Sequence, residues 1–387
     1  MTAHLDRRTV LRLLAGAAVA PLAGCSADYP AEAVAAWRGP ENGAELRRWA
    51  LGYAILAPNS HNRQPWQADL SEPDAIILRI DRDRLLPETD PWYRQIVVSQ
   101  GTFIEALTLA LRQRGLEPSV ALFPEGEFAP RRVDARPVAR ITWSTAGAAR
   151  HDPLFEQLLH RHTAKVDYDP ARPVEAETLQ RLREALVDPA VRFGASVETG
   201  QVEALRTLCW EAAKVELLTP RTVLESIRLT RVGPAEIARH RDGISLNEPL
   251  PRLADAVGAF DRERPPAAGS TVERNMLKRF EGHCRSAMGF VWLSTPRGEG
   301  SGRAAEVRAG RAYMRLQLKA TELGLQMHPM SQAVQEFAEM KPHYDRVHQL
   351  LVGRPAEEET VQMLCRIGYA PAQQHSPRRG VAAIVRA

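Results

Sequence analysis

Two glycine-bounded apolar helices recur 209 residues apart in this chain, and that repeat restricts its folds more than any other feature. Gly101 opens Thr102-Phe103-Ile104-Glu105-Ala106-Leu107-Thr108-Leu109-Ala110-Leu111, which stops at Gly115. Gly310 opens Arg311-Ala312-Tyr313-Met314-Arg315-Leu316-Gln317-Leu318, which stops at Gly324-Leu325. Helices this apolar must bury a face against something. Strand candidates accompany them: Ala75 to Ile80, Ser119 to Phe123 and Val138 to Trp143 early, with Val361 to Tyr369 late as the counterpart of Val138 to Trp143. With a further amphipathic helix from Ala44 to Leu56, the order predicts an α+β layer architecture of two related halves. A chain of 387 residues has room for about two domains.

The first residues read as an address. Arg7-Arg8-Thr9-Val10-Leu11-Arg12 precedes the apolar Leu13-Leu14-Ala15-Gly16-Ala17-Ala18-Val19-Ala20, too short to span a bilayer but suited to a secretory segment. The arginine pair resembles a twin-arginine signal, and Leu22-Ala23-Gly24-Cys25 resembles a lipobox with Cys25 as the lipidated residue. The expectation is a signal over residues 1–24, a linker over 25–43, export to the periplasm, and membrane contact only through a lipid on Cys25. The first half then covers 44–150 and the second 151–387.

Composition narrows the function. Fifty-one basic against 47 acidic residues nearly cancel, and no basic block is interleaved with aromatics, which argues against nucleic acid. Cys209, Cys284 and Cys365 are too far apart for a disulfide framework or a metal set and read as core residues. His160, His162, His328 and His343 match no metal-ligand spacing, so no metal is expected. Gly298-Glu299-Gly300-Ser301-Gly302-Arg303 lacks the Gly-Lys-Ser/Thr ending of a phosphate loop and reads as a flexible connection.

Two polar stretches carry chemistry. His160-Arg161-His162-Thr163-Ala164-Lys165 follows the apolar Leu154-Phe155-Glu156-Gln157-Leu158-Leu159, placing a guanidinium, a hydroxyl and an ammonium at the end of an amphipathic helix. That set can hold an anion and a polar ring edge, or form a solvated basic turn. Ala57-Pro58-Asn59-Ser60-His61-Asn62-Arg63-Gln64-Pro65-Trp66 is a turn between two prolines, dense in hydrogen-bonding side chains. It reads as a ligand loop or as an ordinary helix terminus.

These residues carry a resemblance. Arg161-His162-Thr163-Ala164-Lys165 with Asp167-Tyr168-Asp169-Pro170 is similar to the N-terminal flavin motif of FMN-dependent nitroreductases. Pro58 to Trp66 resembles that family's PS-x-x-N-x-Q-P-W loop, with Asn59 where Ser is usual. Leu323 to Gln332 resembles its late segment at the flavin edge, and Ser376-Pro377-Arg378-Arg379 its closing phosphate clamp. Length, signal and doubled halves look most like the Acg-like branch, in which one chain imitates the usual dimer.

The resemblance implies a nitroreductase-like fold and FMN. Arg161, Arg378 and Arg379 would hold the phosphate, with His162 in the same motif and Thr163 adding a hydroxyl. Lys165 would face the pyrimidine edge, where a cation stabilises anionic reduced flavin. The backbone of Pro329, Met330, Ser331 and Gln332 would approach N5, and Pro58, Asn59, Ser60 and Asn62 would arrive from the opposite half. Chemistry would proceed on FMN itself, without a catalytic side chain. The first half lacks the RHTxK pattern and the second lacks a counterpart of Pro58 to Trp66, so the halves would complete one site, with one FMN per chain and no homodimer required.

Residues 216–270 have no counterpart in the first half and read as a lid or as peripheral decoration. The resulting expectation is an oxidoreductase moving electrons from a small-molecule donor, NAD(P)H among the candidates, to a nitro compound or quinone. The alternatives are a flavin-sequestering protein with little turnover, and an apo relic.

Overall fold

The computed structural model describes residues 27–145, 152–258, 260–297 and 302–386. The twin-arginine pair, the apolar segment, Cys25 and residues 298–301 of the glycine-rich loop lie outside these described residues.

In chain order, α1 (Leu46–Ala54), β1 (Trp66–Asp69), β2 (Ala75–Ile80), α2 (Arg94–Gln113), β3 (Leu116–Leu122) and β4 (Ala139–Thr145) form the first half. The second begins with α3 (Ala176–Arg183) and β5 (Arg192–Ser196). A long excursion follows through α4 (Thr199–Leu218), α5 (Pro220–Arg228), β6 (Thr230–Val232), α6 (Gly233–His240), β7 (Ile244–Leu246), α7 (Pro249–Ala256) and α8 (Thr271–Arg285). It resumes with β8 (Gly289–Pro296), α9 (Arg303–Glu322), β9 (Gln326–Pro329), α10 (Lys341–Val352), β10 (Glu359–Gly368) and β11 (Val385–Arg386).

The two main sheets repeat one another. The first runs β11-β1-β2-β4-β3 and the second β5-β8-β10-β9. Apart from β11, the neighbours are antiparallel throughout, so β1, β2, β4 and β3 stand where β5, β8, β10 and β9 stand. The late strand β10 thus matches β4, as the sequence predicts. β11 adds parallel to β1, pairing Ala68 with Val385, so the end of the second half completes the sheet of the first.

Helices α2 and α9 start 209 residues apart, each has 20 residues, and they pack on each other at the junction of the halves. Gly101 and Gly310 lie inside these helices rather than at their openings, which corrects the sequence reading. The reason is contact: a Cβ on Gly101 would overlap the Val307 carbonyl oxygen, and one on Gly310 the Val98 carbonyl oxygen. The clash is reciprocal at the same 209-residue offset, so the helix backbones touch there.

A second reciprocal pair flanks the crossing. Arg94 at the start of α2 is ion-paired with Glu336, and the Arg303 backbone N–H at the start of α9 donates to Glu127 Oε2 at 2.7 Å. At the other ends Gly115 and Gly324 take φ of +71° and +65°, the left-handed turn that ends a helix most cheaply with glycine. Met314 and Leu318 of α9 enter the first-half core with Phe103 and Trp66, while two further apolar clusters flank the second sheet.

Three local expectations change. Residues 27–43, read as a linker, are packed: Ala33 is fully buried, and Trp37 in the turn Ala35–Arg38 is 8% exposed. Trp37 donates from Nε1 to Ser376 O at 2.9 Å and stacks on His375 at 4.1 Å, so this segment straps the C-terminal residues down. The run before His160 is a 3-10 helix, Pro153–Leu159, capped by Asp152. The material unique to the second half spans 197–288, wider than 216–270, because β1 and β2 are joined by a short turn whereas β5 and β8 are not. Cys209, Cys284 and Cys365 are buried free thiols.

Candidate functional site

Arg161 and Arg378 come from distant parts of the chain and are 2% and 3% exposed. Both donate to the same acceptor, the carbonyl oxygen of Leu56, Arg378 at 3.2 Å. Their guanidiniums stand over Trp37 at 5.4 and 5.1 Å from its ring centre. Arg161 Nε also donates to Gln317 Oε1 at 2.9 Å, and Gln317 Nε2 donates to Thr163 Oγ1 at 3.1 Å, so one buried glutamine of α9 fixes two residues of the basic motif. Arg378 Nη1 donates to Asn62 Oδ1 at 2.8 Å and Ser376 Oγ at 2.7 Å.

Among the described residues, no carboxylate ion-pairs with Arg161 or Arg378. Burial draws Arg161 down to about 10, and burial together with repulsion from Arg161 carries Arg378 well below its ordinary range. Arg378 Nε is buried without a hydrogen-bond partner. Two buried like charges with an orphaned donor are costly unless an anion joins them. An oxyanion with several acceptors, a phosphate above all, suits this donor set.

The loop after α1 faces the pair. His61, Asn62 and Gln64 have φ of 48°, 50° and 51°, three left-handed residues around a right-handed Arg63, which need external bracing. Pro58 O accepts from Thr102 Oγ1 at 2.7 Å, and Asn59 Oδ1 accepts from the Gln64 N–H at 2.6 Å. Ser60 N–H donates to Ser99 Oγ at 3.3 Å, and Asn62 Nδ2 donates to Pro377 O at 3.0 Å.

Further bracing comes from the 197–288 excursion. His61 Nε2 meets Ser226 Oγ at 3.0 Å, Gly243 N–H donates to Asn62 O at 3.2 Å, and Gln64 Nε2 donates to Arg241 O at 2.8 Å. Asp242 pairs with Arg63, Arg84 and Arg231 at 3.4, 2.7 and 2.9 Å. Burial alone would raise the Asp242 carboxyl, but Arg231 and Arg84 hold it below the usual carboxylate range. The excursion is therefore anchored on the polar loop of the opposite half.

Lys165 stands at a second cationic end. Its side chain reaches solvent while protein crowds its ammonium, and desolvation with repulsion from Arg279 draws it down to about 8. His61 is pushed down to about 4 by burial, Lys165 and Arg63. His328 is driven well below its ordinary value by burial, Arg366, His283 and Lys165. A cationic end whose histidines stay neutral suits a carbonyl-bearing or anionic edge.

The other sequence candidates divide. Pro329 ends β9 opposite Cys365, and Met330 N–H donates to Leu364 O at 2.8 Å, ahead of the turn Ser331–Val334. The Gln332 side chain turns to Glu216 of α4, which also accepts from Gln335 Nε2 at 2.7 Å. His162 is half-buried, its Nδ1 3.2 Å from His160 O and its ring edge-on to His375 at 6.1 Å.

Arg379 points away from Arg378. Its N–H donates to Gln64 Oε1 at 2.8 Å, its Nη2 to Gln64 O at 2.7 Å, and its Nη1 lies 3.9 Å from Asp81. The structure thus brings Arg161, Thr163, Asn62 and Arg378 together and places Arg379 in the Asp81/Asp242 network. Sequence reasoning missed Trp37, His375, the Leu56 carbonyl and Gln317. Only Gln317 left a trace, as the lone amide between Leu316 and Leu318 on an apolar helix.

Glu216 supplies a pH test. Burial raises its carboxyl from 4.5 to about 7, against the pull of Gln335. The unfolded chain releases that proton first, so stability is lost as pH rises from about 4.5 to 7, by about 3 kcal/mol. Urea unfolding of Glu216→Gln should match wild type near the acid end of that window and exceed it at pH 8. Parallel pH profiles for the two proteins would rule this out.

No protein-family model matches the chain. "Putative NAD(P)H nitroreductase acg" of Mycobacterium tuberculosis (strain ATCC 25618 / H37Rv) is 26% identical over 333 residues, covering 85% of this chain and 90% of that protein. A second nitroreductase-named protein of the same strain is 23% identical over 374 residues, with coverage of 88% and 91%. Among solved structures, the FMN-dependent nitroreductase NfnB from Mycobacterium smegmatis, in complex with NADPH, aligns at a TM-score of 0.37 and 17% identity over 60% of this chain and 96% of its own. Across most of its length, then, the chain is similar to proteins named as NAD(P)H nitroreductases.

Proposed function

We propose that this chain is an FMN-dependent oxidoreductase of the nitroreductase type, with two related halves in one polypeptide forming one flavin site. The observation that carries the reading is the buried, carboxylate-free pair Arg161 and Arg378, converging on Leu56 O where the halves meet. Arg161 and Arg378 would hold the phosphate, while Gln317 keeps Thr163 beside them. Lys165 would lie against the pyrimidine edge, and the backbone at Met330 and Ser331 near N5. Bound there, FMN would supply two-electron chemistry between a reduced donor such as NAD(P)H and a nitro compound or quinone.

The names of the relatives and the match of four motifs to separate parts of the chain support this reading. The repeated sheet order and the reciprocal contact of α2 and α9 support a single-chain counterpart of a two-fold dimer. We also propose that residues 1–24 direct export by the twin-arginine route, to the periplasm or to an anchor on Cys25.

A second reading, flavin sequestration with little turnover, draws on the excursion clamped by Asp242, because a closed cover would bar donor and acceptor. One titration separates the readings. The protein without residues 1–24 should take up one FMN per chain and show a flavin spectrum that NADPH bleaches under anaerobic conditions and a nitroaromatic restores. Reduction by dithionite alone would favour sequestration. Two FMN per chain would defeat the single-site arrangement, and no FMN would defeat both readings.

A further inference from the structure

Arg366 on β10 is fully buried, has no carboxylate ion pair among the described residues, and uses each of its nitrogens. Nε donates to His328 Nδ1 at 3.0 Å. Nη1 donates to His283 O at 2.8 Å and Ser286 Oγ at 3.0 Å, and Nη2 to Ala164 O at 3.4 Å and Val166 O at 2.7 Å. Its guanidinium lies 4.0 Å over the Tyr168 ring, with Cys284, Asp167 and Cys209 also close enough to act on its charge. The carbonyl between those two, Lys165 O, is 3.0 Å from His283 Nε2. Three successive carbonyls, 164 to 166, are thereby held from one side.

The hydrogen bonds also fix proton positions. A guanidinium keeps its protons in proteins, so His328 Nδ1 must accept and the ring proton must sit on Nε2. His283 Nε2 faces a carbonyl oxygen and must donate, which leaves Nδ1 bare; that atom is buried without a partner. The two rings meet edge-on at 5.3 Å. Neither can take a second proton without pointing a donor at a donor or charging a sealed nitrogen beside Arg366.

We propose that Arg366 is a positioning residue for the Lys165 end of the site: with His283 it fixes the backbone of residues 164–166 that carries the Lys165 side chain, and it holds His328 as a neutral Nε2–H donor. The ligand edge that such a pair recognises is planar, with adjacent carbonyl and ring-nitrogen acceptors. This rests on the flavin reading for the identity of the ligand, but not for the clamp.

The test uses apo-protein and FMN-reconstituted protein in parallel. Nitrogen-15 NMR of labelled histidines should show a single Nε2–H tautomer for His328 in wild type and tautomer exchange in Arg366→Met. In Arg366→Met, FMN should bind about tenfold more weakly, the loss of one charge-assisted contact. A folded Arg366→Met with an unchanged His328 tautomer and unchanged FMN affinity overturns the proposal.

Should that variant fail to fold, His283→Gln and His283→Ala decide. Glutamine can restore the donor to Lys165 O, so it should bind FMN within about twofold of wild type while alanine loses about tenfold. Equal behaviour of the two overturns the proposal. If wild type binds no FMN, the flavin reading fails, and the His328 tautomer in Arg366→Met still judges the clamp.

Discussion

Arg161→Met should bind FMN about a hundredfold more weakly than wild type while its apo form unfolds at the same or a higher denaturant concentration. The affinity loss is that of a buried charge-assisted phosphate contact, about 3 kcal/mol. The unchanged or raised stability follows from what Arg161 lacks. It has no carboxylate partner, it repels Arg378, the Leu56 carbonyl keeps Arg378 when Arg161 is gone, and the one acceptor left open is Gln317 Oε1. Replacing a buried unpaired charge with an apolar side chain of similar volume is neutral or stabilising.

Arg379→Met should behave in the opposite way. It removes the Nη2 hydrogen bond that braces Gln64 O and a 3.9 Å pairing with Asp81, so stability should fall by about 1 kcal/mol while FMN affinity changes little. Flavin titration and denaturant melts on both proteins check the crossing. If both variants lost stability and affinity together, the separation of Arg378 from Arg379 would have no functional meaning.

The largest stability effect is expected at the helix crossing. Gly101→Ala places a methyl group into the Val307 carbonyl, and neither backbone can move without shifting a 20-residue helix. A loss of about 3 kcal/mol or more is expected, at the upper end of core overpacking. Gly324→Ala is the comparison: its Cβ meets open space, and only the left-handed φ opposes it, at about 1 kcal/mol. Equal losses for the two in guanidinium melts would mean that the crossing tolerates separation.

What could be read in the sequence follows from the range of each signal. The 209-residue repeat was visible because apolar helices and their glycine ends are local patterns. It marked the right helices, but it put Gly101 and Gly310 at helix starts, since close backbone contact leaves no local trace. The adjacent pair Arg378-Arg379 looked like one clamp. The chain turns there, and the two side chains enter different environments, which only the partners Asn62 and Gln64 reveal.

Trp37 sat in an Ala- and Pro-containing stretch that read as a linker. Its burial depends on residues 375–378, more than 300 positions later. The width of the 197–288 excursion was hidden because its first and last helices look like ordinary core helices. It appears only when β5 and β8 are seen to take the places of β1 and β2.

The pairing of β11 with β1 has a consequence for how the protein is made. The edge of the first sheet, the Trp37 strap and Arg378 all wait for residues 375–386. A nascent chain lacks them until residue 386 has been made, so the β11 edge and the buried arginine pair cannot assemble before that point. A chain truncated before residue 375 should accumulate with its first sheet open at the β1 edge.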